Sequence, residues 1–303
     1  MKGFRTVIPL VILSMMMPIW SGCRGGTDRS TSAAATKTSK SQLNKIVLHS
    51  QALKKDMKIN IYLPADYSTS ERYPVLYMLH GYSGNEDNWM PDLRLDKTAD
   101  RLIDEQRIKP VLLVAPQIDN SYGFNSTGVP WKEGESPRPD MSDGMYEDYL
   151  FKEVIPYIDS HYSTIAAKEG RTIGGLSMGG CAALHLAFAH PDLFCKVGGH
   201  SPALFLNQSR SDIEKWLYPN KELQAERDPL ILARDKDLGD LNVYLDCGDQ
   251  DSYRFYEGCD KLFAILQAMG VDVQYHLNPG GHEGSYWEAN EEKYLLFYAG
   301  IQH

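Results

Sequence analysis

From about residue 57 onward, segments with a strand-like pattern of apolar residues alternate with segments that have a helical pattern. Alternation of apolar and polar residues over 57–63 and 271–277 is typical of half-buried strands. Continuous apolar runs predict buried strands at 74–79, 110–116, 172–176, 195–201 and 241–246. Between them, apolar residues recur every three or four positions, as at Leu150, Val154 and Ile158 and again over 255–266. Strands alternating with helices predict an α/β fold with a mostly parallel, doubly wound sheet and helices on both faces.

Residues 175–179 read Gly-x-Ser-x-Gly between a predicted strand and a run of good helix formers. A serine on such a turn is exposed at the end of the strand, and its neighbours must be small because side chains there would collide with the turn. Ser177 is therefore a candidate nucleophile. The N–H of Met178, the next residue, is a candidate donor to the oxyanion that forms when a serine attacks a carbonyl group.

A general acid–base system would complete this chemistry, and its acid should follow a strand downstream of the serine. The strand at 241–246 leads into the loop Gly248-Asp249-Gln250-Asp251. We favour Asp251 as the acid, with Asp246 and Asp249 as alternatives.

The base should lie further along, after one more strand. His282 follows the turn at 278–281, which ends the last predicted strand. Of the chain's nine histidines, His282 alone lies in a loop after a strand, C-terminal to the acid and before the last helix. His200 and His276 are the alternatives.

A second oxyanion donor should come from a loop after an earlier strand. The glycine-rich segment His80-Gly81-Tyr82-Ser83-Gly84 ends the strand at 74–79. We expect the N–H of Tyr82 to be this donor. The alternative is that this segment is an ordinary turn in which His80 is a packing residue.

These motifs together resemble the esterase D group, which includes feruloyl and acetyl-xylan esterases of carbohydrate esterase family 1 and S-formylglutathione hydrolase. The resemblance covers most of the chain from about Lys45 onward. It implies an α/β-hydrolase fold, a carboxylic ester substrate and a triad of Ser177, Asp251 and His282. The segments that carry it are 76–81, 148–150, 155–158, 175–180, 245–248 with Asp251, and 281–282 with Tyr286 and Trp287.

Two long irregular segments, 117–144 and 202–240, carry aromatic residues among turn-forming ones. Long loops inside a compact domain are often functional, so we expect these to wall an acyl or alcohol pocket. The candidate pocket residues, with two tryptophans from elsewhere in the chain, are Trp89, Tyr122, Phe124, Trp131 and Trp287.

The N-terminus has the layout of an export signal. Lys2 and Arg5 precede an apolar run that ends at Ser21-Gly22-Cys23. We therefore expect residues 1–23 to be a lipoprotein-type signal with lipidation at Cys23, 24–42 a flexible tether, and 43–303 the catalytic domain. Three residues before the cysteine, a lipoprotein signal usually has an aliphatic residue, but this chain has Trp20. Simple secretion is therefore the alternative. The only membrane attachment expected is this lipid anchor, in a bacterial cell envelope.

Composition and charge limit the classes of partner and cofactor that the protein is expected to bind. The net charge of −9 and the lack of a basic patch exclude a nucleic-acid-binding role. There is no phosphate loop, dinucleotide fingerprint or zinc-type spacing of His and Cys, so we expect neither a metal nor an organic cofactor. The four cysteines after Cys23 indicate no particular disulfide, and oligomeric state is not predicted.

The sequence thus predicts an exported serine esterase acting on acylated polysaccharide or oligosaccharide, such as a feruloyl or acetyl-xylan esterase. The same triad could serve an S-formylglutathione hydrolase-like thioesterase or an acyltransferase. A surface lipoprotein that only binds glycans is the alternative from another class.

Overall fold

The computed structural model describes residues 39–126, 139–206 and 212–301. All of them belong to one folded unit, Lys37–His303. The expected signal segment, Cys23 and most of the expected tether therefore lie outside the described residues.

The centre of the fold is an eight-stranded sheet with strand order β1-β2-β4-β3-β5-β6-β7-β8. The two strands nearest one edge run antiparallel to their neighbours, and β3 to β8 are parallel. The strands are β1 (Gln42–Ser50), β2 (Lys55–Leu63), β3 (Val75–Leu79), β4 (Leu112–Pro116), β5 (Arg171–Leu176), β6 (Lys196–His200), β7 (Asn242–Gly248) and β8 (Val273–Asn278).

Helices cover both faces of this sheet, as predicted. The central strands are apolar throughout because both faces are buried: in β3, Val75 and Tyr77 face one core and Leu76 and Met78 the other. α4, α7 and α8 pack on the first face, and α1 packs against α9 on the second. The helices are α1 (Leu95–Asp104), α2 (Tyr146–Asp148), α3 (Ile155–His161), α4 (Met178–Ala189), α5 (Asp212–Leu217), α6 (Lys221–Arg227), α7 (Pro229–Asp235), α8 (Phe255–Ala268) and α9 (Gly284–Ala299), with short helical turns at Asn88–Asp92, Tyr149–Val154 and Lys168–Gly170.

The sequence analysis missed β1, which overlaps the expected tether by one residue at Gln42. Among the described strands β1 pairs with β2 alone, and its side chains are at most partly buried except for Ser50, so it lacks a strong apolar signal. Two residues just before it also bond to the domain. The Ser39 N–H donates to Asp66 and the Ser41 hydroxyl to Asp100, so the end of the expected tether contacts the domain.

The segment 202–240 is less irregular than its sequence suggests, because it contains α5, α6 and α7. Their lengths of six to seven residues are too short for a clear helical repeat. Across the described part of the chain, no helix has the length and apolar character needed to cross a membrane.

Candidate active site

Ser177 lies on a strained turn between β5 and α4. Its backbone has φ +52° and ψ −116°, a region that non-glycine residues rarely adopt. The flanking glycines are sterically required. A Cβ at Gly175 would lie 2.4 Å from the Gly179 carbonyl, and one at Gly179 would lie 2.3 Å from the Leu79 carbonyl oxygen. Backbone hydrogen bonds fix the turn, because the Ser177 N–H donates to His200 at 2.9 Å and the Cys181 N–H donates to Ser177 at 3.0 Å.

The structure brings Ser177, His282 and Asp251 together from three separate loops. His282 Nε2 lies 2.8 Å from Ser177 Oγ. The other ring nitrogen, Nδ1, lies 2.7 Å from Asp251 Oδ2. Because a carboxylate only accepts hydrogen bonds, Nδ1 carries the hydrogen and Nε2 is left to accept the serine proton. The three residues have the connectivity of a Ser-His-Asp triad.

The carboxylate of Asp251 is buried and fully bonded. Oδ1 accepts the Tyr253 N–H at 2.8 Å, and Oδ2 accepts from His282 and, at 3.3 Å, from the Cys247 thiol. Burial by itself would raise the pKa of Asp251, but the hydrogen bond and charge of His282, with the Tyr253 and Cys247 donors, hold the pKa below its ordinary value. Asp251 is therefore an anion at neutral pH.

The alternative acids and bases occupy other surroundings. Asp246 is fully buried and bonds to His200 at 2.8 Å. Asp249 is exposed and accepts the Gly280 N–H at 3.1 Å, which holds the loop before His282. His276 is exposed on β8. Among the described residues, none of the side chains of Asp246, Asp249, His200 and His276 has a hydrogen bond to the Ser177 hydroxyl.

The loop after β3 lies beside Ser177, as the oxyanion hypothesis requires. A Cβ at Gly81 would be 3.7 Å from Ser177 Cβ. His80 is buried and fixes this loop: its Nε2 accepts the Ile118 N–H at 2.9 Å, so Nδ1 donates to the Gly81 carbonyl at 2.8 Å. In a trans peptide the next N–H, that of Tyr82, points the opposite way from that carbonyl. Met178 begins α4, where first-turn N–H groups have no partner within the helix.

Three candidate pocket residues belong to the core instead. Trp89 is fully buried and its indole N–H donates to the Leu79 carbonyl at 2.9 Å. Tyr122 and Phe124 stack on each other with ring centroids 6.2 Å apart and are 2% and 1% exposed. A side chain with so little accessible surface cannot line an open pocket, so their assignment as pocket walls was wrong. Aromatic character alone does not distinguish a pocket wall from a core residue.

Aromatic rings do surround His282, but mostly different ones. Trp287 has its ring centroid 5.0 Å from that of His282, as does Tyr253, and Phe255 lies at 5.3 Å. Tyr253 is 66% exposed and lies flat against Phe255. The sequence analysis named only Trp287 of these three. Trp131 lies outside the described residues.

Within the described ranges, no group of three or more His, Cys, Asp or Glu side chains could hold a metal ion. Cys181, Cys195, Cys247 and Cys259 are free thiols. The residues that sequence reasoning missed at the site are Cys247 and His80 as hydrogen-bonding supports, together with Tyr253 and Phe255. Cys247 and Tyr253 lie within four residues of Asp251, so closeness to the acid was the signal available.

Comparison with known proteins agrees with the fold and with an esterase family. A family model described as "Putative esterase" matches residues 50–291. The chain is 27% identical over 258 residues to an endo-1,4-beta-xylanase/feruloyl esterase of Xylanibacter ruminicola, a match that covers 83% of this chain and only 30% of that relative. It is 24% identical over 271 residues to an acetyl esterase of Caldicellulosiruptor saccharolyticus, covering 80% of this chain and 92% of the relative.

Among solved structures, a ferulic acid esterase superposes with a TM-score of 0.71 at 25% identity, covering 86% of this chain and 98% of that one. The family model, the relatives and the sheet topology agree with one another. The chain belongs to this esterase family and is a carboxylic ester hydrolase with an α/β-hydrolase fold.

Proposed function

We propose that this chain is a serine esterase in which Ser177 is the nucleophile, His282 the general base and Asp251 the residue that orients the base. The observation that carries the proposal is the continuous chain of two short contacts, 2.8 Å from Ser177 Oγ to His282 Nε2 and 2.7 Å from His282 Nδ1 to Asp251 Oδ2. A serine hydroxyl is a weak nucleophile unless an adjacent base removes its proton.

In the acylation half of the reaction, His282 Nε2 takes the proton of Ser177 as Oγ bonds to the ester carbonyl carbon. The carbonyl oxygen becomes an anion and accepts hydrogen bonds from the N–H groups of Tyr82 and Met178. The Asp251 carboxylate stabilises the charged imidazole without taking its proton. The carbonyl re-forms, the bond to the alcohol oxygen breaks, and His282 gives its proton to the leaving alcohol.

In the deacylation half, water takes the place of the alcohol. His282 removes a proton from this water as its oxygen attacks the acyl carbon, and the same N–H groups bind the second oxyanion. Collapse of the intermediate breaks the bond to Ser177 Oγ, which regains its proton from His282. The carboxylic acid leaves and the enzyme is restored.

For the substrate we propose feruloyl or acetyl esters of plant polysaccharide, because the two relatives are named for feruloyl and acetyl esterase activity. The ring of Tyr253 supports a substrate that contains a planar ring or a sugar, since it is exposed and lies beside His282. Such a face offers apolar area and a stacking geometry that a small aliphatic ester cannot use.

The substrate proposal is tested with methyl ferulate, acetylated xylan and p-nitrophenyl esters of increasing acyl length, with Ser177→Ala as the blank. We expect turnover of methyl ferulate or acetylated xylan and more than 10³-fold loss in the blank. Ser177→Ala should unfold at the temperature of the wild type, which shows that the loss is chemical. Normal turnover by a folded Ser177→Ala protein would refute the nucleophile assignment.

We also propose that the protein is exported and anchored through a lipid on Cys23, on the strength of the N-terminal pattern. Metabolic labelling with radioactive palmitate in a bacterial host should label the wild type, whereas Cys23→Ala should lose the label. An unlabelled wild type found in the medium would instead favour simple secretion.

A further inference from the structure

A buried thiol lies directly against the Asp251 carboxylate. Cys247 is the sixth residue of β7, it is 0% exposed, and its Sγ lies 3.3 Å from Asp251 Oδ2. The thiol can donate one hydrogen bond, and the carboxylate can only accept. The direction of this hydrogen bond is therefore fixed, from sulfur to oxygen.

The thiol shares its acceptor atom with the imidazole. Asp251 Oδ2 receives both the Cys247 S–H and the His282 Nδ1–H, whereas Oδ1 receives the Tyr253 N–H at 2.8 Å. Of the three donors, His282 and Tyr253 are on loops, and Cys247 alone is on a strand. β7 pairs with β6 as far as Asp246 and with β8 through Gly248, so Cys247 is held in the sheet opposite Leu277.

We propose that Cys247 is a positioning residue for the triad: its S–H holds Asp251 Oδ2 in the orientation from which this oxygen bonds to His282. This inference rests on the proposed function of the triad. It adds a fourth side chain to the hydrogen-bond chain, so that the order runs from Cys247 through Asp251 and His282 to Ser177.

The donor also limits how strongly the carboxylate attracts the imidazole proton. Shared hydrogen bonds take up part of the negative charge on Oδ2. Loss of the S–H would therefore change both the orientation of Oδ2 and the charge that it presents to His282 during the reaction. The groups facing the carboxylate are His282 from the loop after β8, Cys247 from β7 and the Tyr253 N–H from its own loop, with Cys259 of α8 adjacent to Cys247.

The neighbouring Cys259 provides a matched control. It is also 0% exposed, and its thiol lies 4.0 Å from the backbone carbonyl of Asp246. Cys247→Ala and Cys259→Ala remove the same atom from the same part of the core, but only the first removes a donor to Asp251. A purely structural role for Cys247 would make the two variants behave alike.

The test measures kcat and KM for p-nitrophenyl acetate from pH 5 to 9 in dithiothreitol, which keeps each sulfur a thiol. Cys247→Ala should lower kcat about 3- to 10-fold with KM within about twofold, because the donor orients the base rather than binding substrate. Cys247→Ser, which retains a donor, should recover at least about half of the lost kcat. Cys259→Ala should lose a similar amount of thermal stability and keep the wild-type profile.

The inference is overturned if folded Cys247→Ala retains the kcat of the wild type, or if Cys259→Ala lowers kcat equally. Should Cys247→Ala not fold, Cys247→Val, which fills the space without a donor, takes its place in the comparison. An inactive wild type would instead overturn the proposed function, so the two failures are distinguishable.

Discussion

Two His–Asp pairs that lie largely buried in the described part of this molecule have nearly equal geometry, and only one of them is placed for chemistry. His282 Nδ1 lies 2.7 Å from Asp251, and His200 Nδ1 lies 2.8 Å from Asp246. The acids are separated by only five positions along the chain. The pairs differ in what surrounds them. The His200 and Asp246 side chains are both 0% exposed, whereas His282 is 10% exposed.

The partner of the second imidazole nitrogen decides which of the two pairs can act on a nucleophile. His282 Nε2 faces the hydroxyl of Ser177. His200 Nε2 instead meets the Tyr298 hydroxyl at 3.1 Å, inside the core. The Asp246 carboxylate also accepts the hydroxyls of Tyr286 at 2.6 Å and Tyr294 at 2.9 Å. One pair is thus a closed network that contributes to stability, and the other is open toward a nucleophile and toward substrate.

The largest difference between the two pairs should appear when the acid beside His282 is neutralised. We expect Asp251→Asn to lower kcat for p-nitrophenyl acetate about 10³- to 10⁴-fold, because an amide cannot hold the reactive tautomer of His282 or stabilise its charged form. Asp249→Asn in the same loop is the control and should stay within about twofold, since its amide oxygen can still accept the Gly280 N–H. Equal losses in both variants would show that the loop, and not the carboxylate, matters.

The second prediction concerns stability. Asp246→Ala should lower the free energy of unfolding by about 3–5 kcal/mol, because it leaves His200 and two tyrosine hydroxyls buried without their acceptor. Urea unfolding measures this loss. Below the unfolding transition, kcat should remain within about fivefold of the wild type. A stable but inactive Asp246→Ala protein would move this pair into the catalytic machinery.

A third prediction compares Asp246 with a buried acid that is poorly bonded. Glu291 on α9 is 1% exposed, accepts the Thr98 hydroxyl at 2.7 Å and has its other oxygen unpaired. Burial raises the pKa of Glu291 to about 8, against the smaller opposing effect of Thr98. The folded protein therefore binds a proton there that the unfolded chain releases near pH 4.5.

Because the pKa of Glu291 differs between the folded and unfolded states, its contribution to the free energy of unfolding is most favourable below pH 4.5. This contribution is lost as pH rises toward 8. Glu291→Gln should remove that slope and raise the free energy of unfolding at pH 8 by on the order of 2 kcal/mol. Urea unfolding at pH 5 and pH 8 tests this. An unchanged difference between the two pH values would contradict the assignment.

The smallest expected effect is at the edge of the buried network. Tyr298→Phe removes the hydroxyl that meets His200 Nε2 and should cost about 1 kcal/mol of unfolding free energy. Activity should stay within about twofold, because the hydroxyl has no contact with Ser177 or His282. Thermal unfolding and a p-nitrophenyl acetate assay measure both outcomes. A larger loss of activity than of stability would connect the two His–Asp pairs.

Most of the sheet was predictable because its strands carry strong local signals. β3 and β4 are continuous apolar runs, which only a strand buried on both faces requires. β1 was not predictable in this way, since an edge strand with few buried side chains has almost the composition of a loop. The short helices α5 to α7 were missed for a related reason, as one or two turns are too few to show a period.

The residues of the candidate site likewise include some that a local sequence pattern identifies and others that it does not. Gly175, Ser177 and Gly179 identify a tight turn because its geometry excludes even a Cβ at the two flanking positions. Selecting Asp251 over Asp246 depended instead on its position in the loop after the strand, and the resemblance to a family implied the same residue. Of the aromatic residues beside His282 only Trp287 was selected from the sequence, because Trp89 and Tyr253 are both aromatic and only burial separates them.

From the sequence alone most strands and the longer helices, the sharp turn at Ser177 and the loops that could carry an acid and a base were predictable, because backbone sterics and apolar periodicity act over a few neighbouring residues. The tertiary structure decided which histidine meets which acid, which aromatic rings are accessible, and that a strand thiol bonds to Asp251. Those outcomes depend on distances between segments up to about a hundred residues apart, such as the 105 positions between Ser177 and His282. Such distances are fixed only when the strands pair and bring their carboxyl ends to one edge of the sheet.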